Sequence, residues 1–220
     1  KIELKNISIK ELSKDYSDDG EGGVKGYGGK LDIRPPFQRE YVYGDKERNA
    51  VIDTVSKGFP LNVMYWAVRK NSTFEIIDGQ QRTISICQFI NRTFSYKKKY
   101  FQNLQEDEQS KILNYELSVY LCTGTDTEKL EWFKTINIAG KELTDQELRN
   151  AVFHGSWVSA AKKWFSKNSC PAYQIGKDYL NGTPNRQDFL ETAIKWISSN
   201  KINDYIDQKK EKKNADELWK

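Results

Sequence analysis

The sequence predicts an α+β protein, with an α/β part over residues 1–98 followed by a mostly helical part over 99–220. Three observations carry that expectation. Val63–Val68 and Thr73–Ile77 are strand-like runs joined by the turn signal Lys70-Asn71-Ser72, the pattern of a hairpin. Apolar residues recur at helical spacing on either side of that hairpin. Beyond Lys97-Lys98-Lys99 the pattern is helical almost to the end, interrupted by one alternating stretch, Tyr115–Leu121, which predicts one more strand.

Taken in order, Ser8-Ile9-Lys10-Glu11 fits a capping box and starts a short helix. Residues 17–30 are rich in glycine and predict a mobile loop. Its acidic start resembles half a calcium loop, but position twelve of that frame is Gly26 rather than Glu, and its glycines miss the Walker A spacing. Pro35-Pro36 forces an extended path through Phe37-Gln38-Arg39. Asp45–Lys57 predicts a helix with Val51, Ile52 and Val55 inward, stopped by Gly58 and Pro60. A second helix is expected from Gln80 to about Phe94, and a third over Gln105–Leu113. Capping boxes at Thr125/Glu128 and Thr144/Glu147 open helices over about 126–137 and 145–153, followed by 156–167, 186–199 and 203–218. The last helix reaches the final residues, and the first residue is Lys, so a larger parent protein is expected.

Composition narrows the function. The 220 residues are 37% hydrophobic and 30% charged, and the 13% of aromatics argues against disorder. Neither a membrane-length apolar run nor a signal-peptide core is present. The formal charge of +4 is too small to predict a nucleic-acid partner by itself. Cys87, Cys122 and Cys170 are odd in number and widely spaced, which disfavours a disulfide framework or a cysteine zinc site and makes a reduced, cytoplasmic setting the expectation. His154 is the single histidine, which removes HNH nucleases, HExxH proteases and His-rich metal sites. A PD-(D/E)xK nuclease set is also missing, since Glu3-Leu4-Lys5 has no upstream acid.

Two segments carry candidate chemistry. In Phe74–Thr83 (FEIIDGQQRT) a buried strand ends in Asp78, Gly79 allows a sharp turn, and a helix opens at Gln80. The unpaired first N–H groups and the positive end of the helix dipole make such a turn a ready anion site. Arg82 suits a bound phosphate through its bidentate fork, and Asp78 suits a magnesium ion or the orientation of Arg82. The competing reading is an ordinary strand–Gly–helix turn with a solvent-exposed arginine. The second segment, Ile33–Tyr41, presents Gln38 and Arg39 on a stiff backbone, or is merely an edge segment with surface polar residues. Trp157, Trp164, Trp196 and Trp219 are expected in the core, and the run Lys209–Lys213 on a solvated helix face. Tyr65 and Trp66 alternate, so one of them faces outward beside Arg69, where it would suit base stacking.

Three stretches together, RPPFQREYVY (34–43), FEIIDGQQRTISI (74–86) and FKTINIAGKELTDQELRNAVFHGSW (133–157), resemble the N-terminal, GmrS-like domain of the GmrSD restriction family. That family carries an I-P-x-F-Q-R segment, a D-G-Q-Q-R motif and a later F-x-x-I/L-N-x-x-G-x-x-L-x-x-x-E-x-R-N-A stretch. This chain departs from it in having Arg34-Pro35-Pro36 in place of I-P-x and Tyr43 where Trp is common. Residues 158–220 share little with the family beyond helical character.

The resemblance implies a ParB/sulfiredoxin-like fold for the α/β part with an appended C-terminal helical bundle. It implies a role in modification-dependent restriction of phage DNA, with a nucleoside triphosphate bound and hydrolysed in the presence of Mg2+ and a separate C-terminal HNH-type nuclease domain under control. By matching position, Gly79, Gln80, Gln81, Arg82 and Thr83 would hold the phosphates, with Gln38 on phosphate or base. Arg82 and Arg39 would neutralise developing charge, Gln80 or Gln81 would orient a water, and Asp78 would hold the magnesium ion or activate the water. Asp78, Gln81 and Arg82 are thus the implied catalytic set. Asn137, Arg149 and Asn150 would close over the nucleotide or tie the two parts together. The alternative is a DNA-binding module that senses modified bases without hydrolysis, the phosphate loop gripping backbone instead of nucleotide.

Overall fold

A computed structural model describes residues 1–19, 23–35, 43–125, 128, 132, 135, 155–165, 169–179, 187–199, 201–209 and 211–219. The chain forms two compact units, one built on Lys1–Pro35 and Tyr41–Asn137, the other chiefly on Ile138–Lys220.

The first unit runs β1 (Ile2–Ser8), α1 (Ile9–Ser13), β2 (Ser17–Asp18), β3 (Val24–Gly26), β4 (Leu31–Asp32), α2 (Asp45–Lys57), β5 (Met64–Val68), β6 (Phe74–Asp78), α3 (Gln80–Ile90), α4 (Glu106–Leu113) and β7 (Glu116–Cys122). Its strands make one sheet in the order β1-β7-β5-β6-β4-β3-β2. The pairs β5/β7 and β4/β6 are parallel and the others antiparallel. Among the described residues this is a mixed α+β architecture, as the sequence predicts.

Local chemistry starts and stops these elements where the sequence places them. The Glu11 amide donates to Ser8 Oγ at 3.2 Å and the Ser8 amide to Glu11 Oε2 at 3.0 Å, a complete capping box. The Ser8 amide, and the Ser8 hydroxyl donating to the same oxygen at 2.8 Å, hold the Glu11 carboxyl below its ordinary pKa. Ile9 and Leu12, one turn apart, are fully buried. In α2 the buried residues are Val51, Ile52 and Val55, and Gly58 ends the helix in the left-handed region at φ 72°. The capping bonds at Thr125 are likewise formed, with Thr125 Oγ donating to Glu128 Oε2 at 2.9 Å.

Three expectations are corrected. Residues 17–30 are not a loop throughout, because they contain β2, β3 and the approach to β4. Val24 and Leu31 are fully buried, and the Tyr27 amide donates to the Leu12 carbonyl at 2.8 Å. Gly26 is needed there because a Cβ would lie 2.9 Å from that same carbonyl oxygen. Helix α3 stops at Ile90 instead of Phe94. Arg92 turns into the left-handed region at φ 65°, which folds Phe94 back onto Phe89 at 5.6 Å between ring centres. The sheet also reaches past residue 98, where the α/β part was expected to end: β7 pairs with β1 from Ile2↔Cys122 to Ser8↔Glu116 and lies between β1 and β5.

One core unites the sheet with its helices. Ile7, Leu117, Val119, Met64, Trp66 and Ile76 from strands meet Ile9, Leu12, Val55, Ile84, Cys87 and Phe89 from helices. Phe89 sits among the rings of Phe94, Tyr96 and Phe101.

The second unit contains α5 (Ser156–Phe165), α6 (Pro171–Gly176), α7 (Gln187–Ser198), α8 (Ile202–Gln208) and α9 (Lys212–Trp219). It has its own core, including Trp157, Phe165, Leu190, Ile194, Ile206 and Ala215. Trp164 stacks on Trp219 at 5.3 Å and donates Nε1–H to Asp216 at 2.9 Å. The single helix expected over 203–218 is two, because Lys209 leaves helical geometry at φ −112°, ψ 48°. Trp196, expected inside, is 81% exposed. Helix α6, begun by Pro171 in its first turn, was not anticipated. The expected helix over 145–153 lies outside the described residues. Of the one over 126–137, the described residues 128, 132 and 135 are helical.

Candidate functional site

The site is assembled where β6 turns into α3. Across the β5/β6 pair, Tyr65 is opposite Asp78 while Trp66 is opposite Ile76, so the strand bulges at Ile77 and sets Asp78 beside Tyr65. Gly79 then takes φ 99°, ψ 6°. A Cβ at this position would lie 2.7 Å from Met64 Cγ, so both the backbone angle and the packing demand glycine. Helix α3 opens directly after it, and the Thr83 amide donates to the Gly79 carbonyl at 2.9 Å.

Arg82 faces inward and holds protein atoms. Its guanidinium donates to the backbone carbonyl of Asn62, to that of Val63 at 3.2 Å and to Asp78 Oδ2 at 2.9 Å. Its side chain is 14% exposed. The arginine therefore fastens the entry of β5 to the exit of β6, and the acid–base pair at i, i+4 straddles the turn. The competing reading of a solvent-exposed arginine is overturned: the guanidinium is a clamp at the edge of the turn.

The two glutamines are almost fully buried. Gln81 Nε2 donates to Gln80 Oε1 at 3.2 Å, and Gln81 Oε1 accepts from the Tyr43 amide at 3.3 Å. Gln81 therefore stitches the segment at Tyr43 to the start of α3. Thr83 is fully buried, its hydroxyl 3.5 Å from Met64 Sδ. Of the pair Tyr65 and Trp66, Trp66 is buried and Tyr65 is the outward ring. Tyr65 stacks on Tyr120 at 5.4 Å and lies 6.0 Å from Trp132. Burial, then the neighbouring Tyr120 and Asp78, push the Tyr65 hydroxyl above its ordinary pKa. Arg69 is spent on Asp32, at 3.3 Å, and on Glu75.

The structure thus brings together Asp78, Gly79, Gln80, Gln81, Arg82 and Thr83. Gln38, Arg39, Asn137, Arg149, Asn150 and His154 lie outside the described residues. The sequence showed the Asp78/Arg82 spacing, but not the carbonyls that Arg82 grips, the Tyr43–Gln81 bond or the Met64–Gly79 contact. All three join residues at least fifteen positions apart in the chain, and no local pattern encodes them.

Chemically, a helix amino end with a guanidinium and a carboxylate at its mouth suits an anion and its counter-ion. No cluster of three or more potential metal ligands exists among the described residues. A divalent ion here would have Asp78 as its protein carboxylate and would draw its remaining ligands from phosphate oxygens and water, a common arrangement for magnesium.

Comparison with known proteins bears on the same stretch. The family model described as the GmrSD restriction endonuclease, N-terminal domain, matches residues 24–154. No curated protein and no solved structure matches the chain. The matched stretch exceeds half of the 220 residues and contains the whole Asp78–Thr83 turn. The chain belongs to the GmrSD restriction endonuclease N-terminal domain family.

Proposed function

We propose that this chain is the regulatory, nucleotide-binding part of a modification-dependent DNA restriction protein, and that it governs a separate HNH-type nuclease domain. The observation that carries the reading is the turn at Gly79. A left-handed glycine is pressed against Met64, so position 79 adds no side chain of its own where the backbone of Gln80–Arg82 opens α3. Backbone amides there suit the oxygens of a triphosphate. The α/β unit is read as ParB/sulfiredoxin-like, and phage DNA bearing modified bases is the proposed target.

In this reading Asp78 is the carboxylate available to a magnesium ion, which would supply charge neutralisation between phosphates. Arg82 positions Asp78 through their 2.9 Å bond and lends its charge to the same corner. Gln80 or Gln81 would orient an attacking water, Gln38 would contact the phosphates or the base, and Arg39 would neutralise developing charge. Asn137, Arg149 and Asn150 would tie the two parts together or close over the nucleotide. The chain is then a nucleoside triphosphate hydrolase and not itself a nuclease.

The test is a thermal-shift panel of four nucleoside triphosphates with Mg2+, followed by calorimetry. A ligand at one hundred times its Kd stabilises by about 2.7 kcal/mol, a readily visible shift. Absence of any shift in folded protein refutes the reading. Salt-dependent binding of modified duplex without a nucleotide shift transfers the site to the base-sensing alternative.

A further inference from the structure

We propose that the outer edge of β1 is a self-association surface, on which a second copy of this chain adds its own β1 in antiparallel register centred on Leu4. β1 ends the sheet at one side, and no described strand lies beyond it. Residues Ile2–Lys5 are exposed, Ile2 at 46% and Leu4 at 55%.

The backbone settles which groups face outward. The Lys1 amine donates to the Thr123 carbonyl and the Thr123 amide to the Lys1 carbonyl, both at 2.9 Å. In an antiparallel ladder such doubly bonded pairs alternate. The odd residues of β1 therefore bond to β7, and Ile2, Leu4 and Asn6 turn their N–H and C=O groups to the free edge. Such a row is a template for another strand.

The side chains then select the partner and its register. Opposed residues in two antiparallel copies must share a face, which centres each symmetric register on a residue, and the three centred nearest the middle of the exposed run Ile2–Asn6 are those on Glu3, Leu4 and Lys5. Centring on Glu3 sets Glu3 against itself and Lys1 against Lys5. A register centred on Lys5 sets Lys5 against itself and needs Ser8, whose amide is already given to Glu11 at 3.0 Å. Only with Leu4 at the centre does each Glu3 meet the Lys5 of the other copy. In that register Leu4 meets Leu4, Ile2 meets Asn6, and every outward backbone pair exchanges two hydrogen bonds. Opposite charges directly across a strand pair stabilise it, and like charges destabilise it. The sequence Lys1-Ile2-Glu3-Leu4-Lys5 is thus complementary to itself in one register and repulsive in the neighbouring two.

Sedimentation analysis over a concentration series tests this with the chain as it stands. The expected result is a reversible dimer. Glu3→Lys and Lys5→Glu each weaken it about tenfold by turning the two symmetric attractive pairs into repulsive ones, and the double reversal Glu3→Lys/Lys5→Glu restores it. Lys5 also bonds Tyr27 Oη at 3.0 Å, so circular dichroism of the Lys5→Glu protein confirms its fold. Independently, Leu4→Cys in mildly oxidising buffer yields a disulfide-linked dimer, since the opposed Cα atoms would stand about 5.5 Å apart. A monomer at every concentration, single reversals without effect, a double reversal no tighter than the singles, or no crosslink at position 4 overturns the proposal.

Discussion

Arg82 Nη2 stands 2.9 Å from Asp78 Oδ2 and 3.2 Å from the carbonyl oxygen of Val63, so one guanidinium ties the acid of the candidate site to the strand beside it. The pairing makes Asp78 and Arg82 a unit. Neither side chain can be judged by what it would offer a ligand alone.

Removal of the clamp should therefore cost stability before any ligand is added. Arg82→Ala leaves Asp78 and two carbonyls without their donor at a largely buried position, and the expected loss is about 3 kcal/mol. Urea unfolding of the ligand-free protein measures it. An unchanged midpoint would mean that Arg82 acts only on a bound anion.

Glycine at position 79 is required twice, and the two requirements separate. Gly79→Ala should destabilise by about 2–3 kcal/mol through left-handed strain and the overlap with Met64. Met64→Ala relieves the overlap but not the strain. The double variant should thus lose less than the sum of the singles, which themselves include a cavity at the fully buried Met64. Strict additivity would show that the contact is relaxed elsewhere.

Acid sensitivity should be traceable to Asp53. This carboxylate accepts from Tyr96 Oη, from Lys97 Nζ at 3.1 Å and from Lys57 Nζ, and these bonds hold its pKa well below the ordinary carboxylate range, the Lys57 bond most strongly. A depressed folded pKa gives stability that is present above the unfolded value of about 3.9 and lost as pH falls through the folded one. Asp53→Asn should flatten the stability profile below that unfolded value while changing little in its shape near neutrality. A parallel fall in both proteins would remove Asp53 as the cause.

Thiol chemistry should report on global opening. All three cysteines are buried, and burial pushes the Cys87 thiol far above its ordinary pKa. In native protein Cys87 should resist a thiol-specific reagent and react only at the rate of unfolding. Labelling of Cys87 at the rate of a free thiol would contradict its place on the buried face of α3.

What the sequence determined by itself was whatever a few neighbouring residues enforce. Ser8 and Glu11 set the start of α1, Gly58 the end of α2, and Asn71 the hairpin turn, because each acts within four positions of its partner. Asp78, Gly79 and Arg82 were legible for the same reason, as strand end, left-handed hinge and first helical turn. Tertiary structure alone decided the rest. It brought β7 between β1 and β5, made strands of the glycine-rich stretch by burying Val24 and Leu31, and turned Arg82 onto the carbonyls of Asn62 and Val63. Strand partners and buried hydrogen bonds depend on which distant surfaces exclude water together, and that information is written in no single window of the chain.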